Sequence, residues 1–244
     1  MKARRIAIAA LAFLALSCAK EQNGAKTGTV MFSVAGNEEL TEVTKSKVSD
    51  YTVLPAASQF TISVKDGDNA SVWSGPVSGW DASTALNAGN YSVTAVYGEE
   101  GVEGFDKPYF TGTASFTVTG GNSTQVSIPV SLGNSLVKIS CTESFKNYFT
   151  DYSFSLTTGN GTVISFPMSE TRAAFVDAFK FTLAGTLTSQ GGKEQTFSKE
   201  YINLEAKTCY TVSFDVTNVG GVTVTISFND TVETVSIGDI ELND

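Results

Sequence analysis

Apolar residues recur at every second position through most of the chain, as in Phe60, Ile62 and Val64, then Tyr91, Val93, Ala95 and Tyr97, then Ala114, Phe116 and Val118. Val126, Ile128, Val130 and Leu132 follow. The second half continues with Val137, Ile139 and Cys141, with Phe179, Phe181 and Leu183, with Tyr210, Val212, Phe214 and Val216, and with Val222, Val224, Ile226 and Phe228. The residues between are mostly Ser, Thr and Lys, so each segment has one face to bury and one to wet, the pattern of antiparallel sheets. Thr119-Gly120-Gly121-Asn122 and Val219-Gly220-Gly221 interrupt alternating runs where Gly supplies the positive φ of a tight hairpin. Ser144 to Phe149 and Ser169 to Val176 have modest helical character, and each predicts a short helical turn within a connection. The expected fold class is all-β.

Turn chemistry at Leu132-Gly133-Asn134-Ser135 divides the chain into parts of about 110 residues, each the size of a β-sandwich. The expected organisation is two tandem antiparallel β-sandwiches, immunoglobulin-like or transthyretin-like, over residues 28–133 and 134–244. A skeleton of Leu-x-Ala followed by Tyr-x-Val appears in both, at Leu86, Ala88, Tyr91 and Val93 and at Leu204, Ala206, Tyr210 and Val212, with one residue inserted in the second copy.

The amino terminus breaks the pattern. Lys2, Arg4 and Arg5 precede an unbroken apolar run from Ile6 to Leu16, the layout of a secretory signal, and the run is short of the ~20 residues that a spanning helix needs. Leu14-Ala15-Leu16-Ser17-Cys18 resembles the lipobox of bacterial lipoproteins, which implies a signal peptide over residues 1–17, acylation of Cys18, and a polar tether over residues 18–27. Acyl chains there would hold the protein on a membrane without a second hydrophobic span.

Composition narrows the chemistry. The 244 residues include no His, which excludes Ser-His-Asp and Cys-His machinery and imidazole metal ligands. Loss of residues 1–17 takes away three basic and no acidic residues, leaving 13 Lys+Arg against 25 Asp+Glu, a net charge of −12. With no basic cluster after Cys18 denser than Lys45 and Lys47, nucleic acid is excluded as a partner.

Several groups merit weighing as sites. Trp73 and Trp80 flank a Gly-rich segment, with Asp81 and Asn87 nearby. They form either a glycan platform, indoles stacking on sugar rings, or a plug for the core, and the two are expected to differ in exposure. Asp66-Gly67-Asp68-Asn69 offers oxygen ligands to a hard cation but fewer than such an ion needs, with Asn229 and Asp230 too far away in sequence to be added, and it reads better as a turn. Asp230-Thr231-Val232 resembles an O-glycosylation acceptor of some Gram-negative anaerobes, with Thr231 as the modified residue. Glu99, Glu100, Glu103 and Asp106 form the densest carboxylate group, expected to be solvated in a Gly-rich loop and so unsuited to acid catalysis. Cys141 and Cys209 remain to form a disulfide in an exported protein, although parity along their strands places them on opposite faces. No metal site, cofactor or enzymatic activity is expected.

Three strings carry a family resemblance: Gly89-Asn90-Tyr91-Ser92-Val93-Thr94-Ala95, Gly104-Phe105-Asp106-Lys107-Pro108-Tyr109-Phe110-Thr111-Gly112, and Leu132-Gly133-Asn134-Ser135. They resemble a lipoprotein family known as domain of unknown function 4493, distantly similar to fimbrillin-type adhesins and their anchors. The resemblance implies a two-domain β-sandwich at the outer membrane, facing the cell surface, that binds a protein or glycan ligand. Physically, Pro108 keeps the second string extended, while Tyr109 and Phe110 point to opposite sides and seal one end of the first sandwich. The chain after Cys18 holds one Arg, Arg172, deep in the second half, so trypsin-like cleavage at Arg near the amino terminus cannot free a first strand such as Thr29–Val34. The expected role is an adhesin or a fimbria-associated accessory or anchor subunit, with carbohydrate binding through Trp73, Trp80 and Asp81 as the alternative.

Overall fold

The computed structural model describes residues 26–38, 40, 46–177, 179–216, 222–228 and 231–237, with side chains excepted in the last two stretches. Eight strands occupy the first half: β1 (Thr27–Asn37), β2 (Thr61–Asp66), β3 (Ser71–Pro76), β4 (Leu86–Asn87), β5 (Gly89–Tyr97), β6 (Gly104–Phe105), β7 (Phe110–Val118) and β8 (Ser123–Leu132). The second half holds β9 (Ser135–Cys141), helix α1 (Glu143–Tyr148), β10 (Phe149–Thr158), β11 (Val163–Pro167), β12 (Ala174–Val176), β13 (Lys180–Ser189), β14 (Glu194–Ile202), β15 (Cys209–Val216), β16 (Val222–Phe228) and β17 (Thr231–Ile237). The protein is all-β, as the period-two pattern requires.

The first half forms one seven-stranded sheet in the order β3-β2-β5-β7-β8-β1-β4. Strands β7 and β8 share only two register pairs, Phe110 with Leu132 and Thr111 with Ser131. Past that corner the sheet doubles over, so that Phe32 of β1 meets Phe116 of β7 edge to face at 5.6 Å. Between the layers lie Val30, Ile62, Val64, Val93, Ala95, Ile128 and Val130, all buried. Gly112 permits the corner, because a Cβ there would sit 1.9 Å from the Pro129 carbonyl oxygen.

In the second half a four-stranded sheet, β11-β10-β13-β14, packs on a six-stranded one, β17-β16-β15-β9-β12-β6. The core is aromatic. Phe154 stacks on Phe214 with centroids 4.4 Å apart, and Phe145 of α1 contacts Phe149, Tyr152 and Phe214. Gly185 is required in β13 because a Cβ would lie 2.3 Å from the Phe197 ring. Thr142 caps α1, its hydroxyl accepting the Phe145 N–H.

Three expectations are corrected. The sheets are not antiparallel throughout: β1 runs parallel to β8 over nine pairs, and β15 parallel to β9 over six. One-sided burial, from which antiparallel pairing was inferred, is a property of a two-layer fold and is indifferent to strand direction. Residues 169–176 form no helix. A turn in which the Glu170 N–H donates to the Pro167 carbonyl leads into β12, whose Ala174 and Val176 face one core while Phe175, and Ala173 just before the strand, enter the other. A run buried on both sides has no period to read. Phe179 lies before β13 and is 61% exposed, although Phe181 and Leu183 are buried as expected.

Other turn readings agree with the structure. Thr119 to Asn122 closes the β7–β8 hairpin, with Gly121 at φ +77° and the Asn122 N–H donating to the Thr119 carbonyl. Residues 217–221, with the second Gly-Gly pair, lie outside the described residues. The repeated Leu-x-Ala, Tyr-x-Val skeleton also does equivalent work twice: the Tyr91 hydroxyl donates to the Asn87 carbonyl four residues back, and the Tyr210 hydroxyl accepts the Glu205 N–H five residues back. Each tyrosine pins the loop before its own strand, and the inserted residue accounts for the longer reach.

Candidate functional site

Trp73 sits on the edge strand β3 and Trp80 just after a 3-10 turn over Val77–Gly79; both are half-buried. Their rings meet edge to face at 5.3 Å and 84°, so the two indoles present no common plane. Trp80 also contacts Phe32 at 5.0 Å, Phe32 contacts Phe116, and Phe116 stacks on Tyr91, making a row of five aromatics along one end of the first core. The Trp80 Nε1–H donates to the Val30 carbonyl at 2.9 Å. Val30 lies where β1 has left β4, so the indole satisfies an edge carbonyl that no strand among the described residues reaches. Both indoles are half-buried and pack against the first core. Phe32 and Phe116 were missing from the sequence-based site, although period-two spacing had already put Phe116 on the buried face.

Asp81 is exposed, and its Oδ1 accepts both the Ser83 hydroxyl and the Ser83 N–H, which hold its carboxyl below the usual range. Asp66 Oδ1 accepts the N–H groups of Asp68 and Ala70, and Asn69 adopts φ +63°; the Asp66 to Asn69 segment is the β2–β3 hairpin turn. Among the described residues no group of three or more His, Cys, Asp or Glu converges as metal ligands.

The carboxylate loop departs from expectation at one member. Glu99 and Glu100 are exposed, but Glu103 is buried, its Oε2 accepting the Thr158 hydroxyl at 2.5 Å and its Oε1 the Asp177 N–H at 2.9 Å. Asp106 meets Arg172 Nη1 at 2.8 Å, while Arg172 also makes a two-pronged pair with Glu170 and lies over the Phe105 ring at 4.6 Å. Those hydrogen bonds hold the Glu170 carboxyl down at about 2. The loop is drawn in because β6 within it pairs with β12 of the second half. Partners of this kind, more than 50 residues away, leave no local sequence signal.

Two of the resemblance strings meet at this junction. Asn134, only 1% exposed, donates from Nδ2 to the Lys107 carbonyl, accepts the Tyr109 N–H at Oδ1, and accepts the Lys207 N–H at its own carbonyl. Pro108 and Phe110 are buried and Tyr109 is half-buried, so the second string does close one end of the first core.

Cys141 and Cys209 form no disulfide. Cys209 pairs in register with Leu136, five residues before Cys141 on β9, which separates them by roughly 16 Å of strand, beyond the ~7 Å limit of a bridge. They also face different cores, as parity indicated: Cys141 packs on the second and Cys209 lies in the first. Cys18 lies outside the described residues; Thr231 opens β17, and its side chain and Asp230 lie outside them. No helix among the described residues is long and apolar enough to cross a membrane.

Fold and site together define an all-β protein whose distinctive polar side chains hold turns, edges and a junction. The family model for a domain of unknown function, DUF4493, matches residues 26–244, and the chain belongs to that family. No curated protein matches it. Among solved structures it is similar to a Bacteroides thetaiotaomicron protein assigned provisionally to polysaccharide binding (11% identity, TM-score 0.44, covering 87% of this chain and 99% of that one). A Bacteroides uniformis protein assigned provisionally to cell adhesion is 13% identical, with TM-score 0.44 and coverage of 84% and 98%. The fimbrial anchor protein Mfa2 from Porphyromonas gingivalis is 10% identical, with TM-score 0.34 and coverage of 87% and 99%.

Proposed function

We propose that this chain is a lipid-anchored surface protein of the outer membrane that acts by binding, as an adhesin or as an accessory or anchor subunit of a fimbria. Residues 1–17 are its signal peptide, 18–27 its tether, and 28–133 and 134–244 two sandwich domains in tandem. The observation that carries the reading is the use made of its polar groups. Asp66, Asp81, Glu103 and Trp80 are each engaged by the backbone or side chains they hold in place, which suits a protein that presents a rigid surface. The Leu14-to-Cys18 motif supports the anchor. Thr231, the first residue of β17, is the position proposed for O-glycosylation.

The experiment is fractionation with surface labelling. Wild-type protein is expected in the outer membrane and accessible to an impermeant biotin reagent on intact cells, and a Cys18→Ser variant in the soluble fraction. Wild-type protein recovered unacylated from the soluble fraction would overturn the reading.

A further inference from the structure

The start of β1 lies at the end of the first half that is remote from the second. The Gly121 N–H, in the turn between β7 and β8, donates to the Thr27 carbonyl, and Thr29 pairs with Ser123, where β8 begins. From there β8 runs parallel to β1 for nine pairs before it leads into the second half at Leu132. That stretch spans about 26 Å. The chain before Thr27 therefore leaves the molecule far from the junction.

The aromatic row lies at this same end. Tyr91 is two residues from the start of β5, Phe116 two residues from the end of β7, and Phe32 pairs with Val126, three residues into β8. Ring contacts run from Trp73 through Trp80 and Phe32 to Phe116, and all four are half-buried. Two exposed apolar residues extend the patch: Val72, next to Trp73, is 39% exposed, and Met31, next to Phe32, is 42% exposed. Half-exposed indoles beside such side chains are what the headgroup region of a bilayer favours, apolar body and polar tip together.

The length of chain before β1 sets how far this end can stand from a lipid on Cys18. Residues 18–26 reach about 30 Å at full extension. An acyl chain on Cys18 thus keeps the aromatic end, and not the second half, next to the bilayer. Lys26 and Lys65 are outnumbered there by Asp66, Asp68 and Asp81, so nothing draws this end to anionic lipid.

We infer that the aromatic end of the first half beds against the headgroups of a neutral, zwitterionic bilayer and holds the second half away from the membrane. The tether keeps the patch at high effective concentration near the surface, so a weak intrinsic affinity suffices. The inference rests on the acylation of Cys18 proposed above and adds an orientation to it.

The test places acylated full-length protein in phosphatidylcholine vesicles in which some headgroups carry a nitroxide quencher. The chain's two tryptophans, Trp73 and Trp80, are the native reporters. Glu194→Trp, combined with Trp73→Phe and Trp80→Phe, reports from an exposed position in the second half, beside the β13–β14 turn. Native emission is expected to be quenched about threefold more strongly than that of the Glu194→Trp reporter. Met31→Glu with Val72→Glu, changes at exposed positions, should bring the two signals together with the fold's spectrum retained. Equal quenching at both positions in vesicle-bound protein would overturn the orientation and leave the anchor standing. Quenching unchanged by the two Glu substitutions would overturn the aromatic contact. Indoles shielded from the headgroup label and from acrylamide alike would put a second copy on this face and overturn it as well. Protein that carries no acyl chain and stays off the vesicles would remove the anchor, and this inference with it.

Discussion

The side chain of Asn134 donates to the carbonyl of Lys107 at 3.0 Å from a position almost wholly shielded from water. One amide thereby serves the carbonyl of Lys107 and the N–H of Tyr109, on the chain that enters β7. Asn134→Ala leaves both groups without their partner and is expected to cost about 2–3 kcal/mol, read as a lower midpoint in urea. Asn134→Asp retains an acceptor for Tyr109 but loses the donor, and should be destabilised as well. A midpoint unchanged in both variants would show that water replaces the amide.

Leu136, Ala173, Phe175 and Cys209 belong to the second half by sequence yet complete the first core. A fragment ending at residue 133 lacks all four and also loses the β12 partner of β6. It is expected to unfold at lower denaturant than the same region in the full chain, with a shallower transition. Equal midpoints would mean that the first core is self-sufficient.

Trp80→Phe keeps most of the ring packing but removes the donor to Val30. The expected loss is about 1 kcal/mol. Trp73 and Trp80, similarly half-buried, should be quenched by acrylamide to similar extents in single-tryptophan variants. A large difference in quenching would contradict the edge-to-face arrangement at a shared opening.

Glu170 is held at about 2, against an ordinary 4.5, by its bonds to Arg172. Because its folded pKa is the lower one, the folded state binds fewer protons, and the pair's contribution is present above pH 4.5 and lost as pH falls towards 2. Between those limits wild-type stability should drop more steeply than that of Glu170→Gln, which is already the weaker protein at pH 7. Parallel acid profiles for the two would exclude the ion pair from the stability balance.

Burial pushes the Cys141 thiol up to about 11, and Cys209 is shut inside the first core. Both should resist a thiol reagent in the native protein and both should react after unfolding without reductant. Failure to label the unfolded, unreduced chain at these positions would reveal a bridge.

Much of this architecture was legible in alternation alone, because side chains of a two-layer fold repeat every second residue whatever the strand's direction. Direction was not legible: β1 and β8 read identically whether parallel or antiparallel. Nor was β12, where the run from Ala173 into the strand is apolar at every position because it serves two cores in turn. Turn residues such as Asp66 and Gly121 announced themselves through local chemistry. Glu103, Asn134 and the pair of Arg172 with Asp106 did not, since these partners lie 25 to 74 residues apart and only the fold brings them together.

The parallel pairing of β1 with β8 sets how the molecule answers a mechanical load. The nine register pairs run from Thr29 beside Ser123 to Asn37 beside Ser131, and β8 then leads directly into the second half. A pull on the amino-terminal end of β1 against resistance from that half drags the two strands in opposite directions along their length. All nine pairs are then stretched together in shear, and none can peel open ahead of the rest.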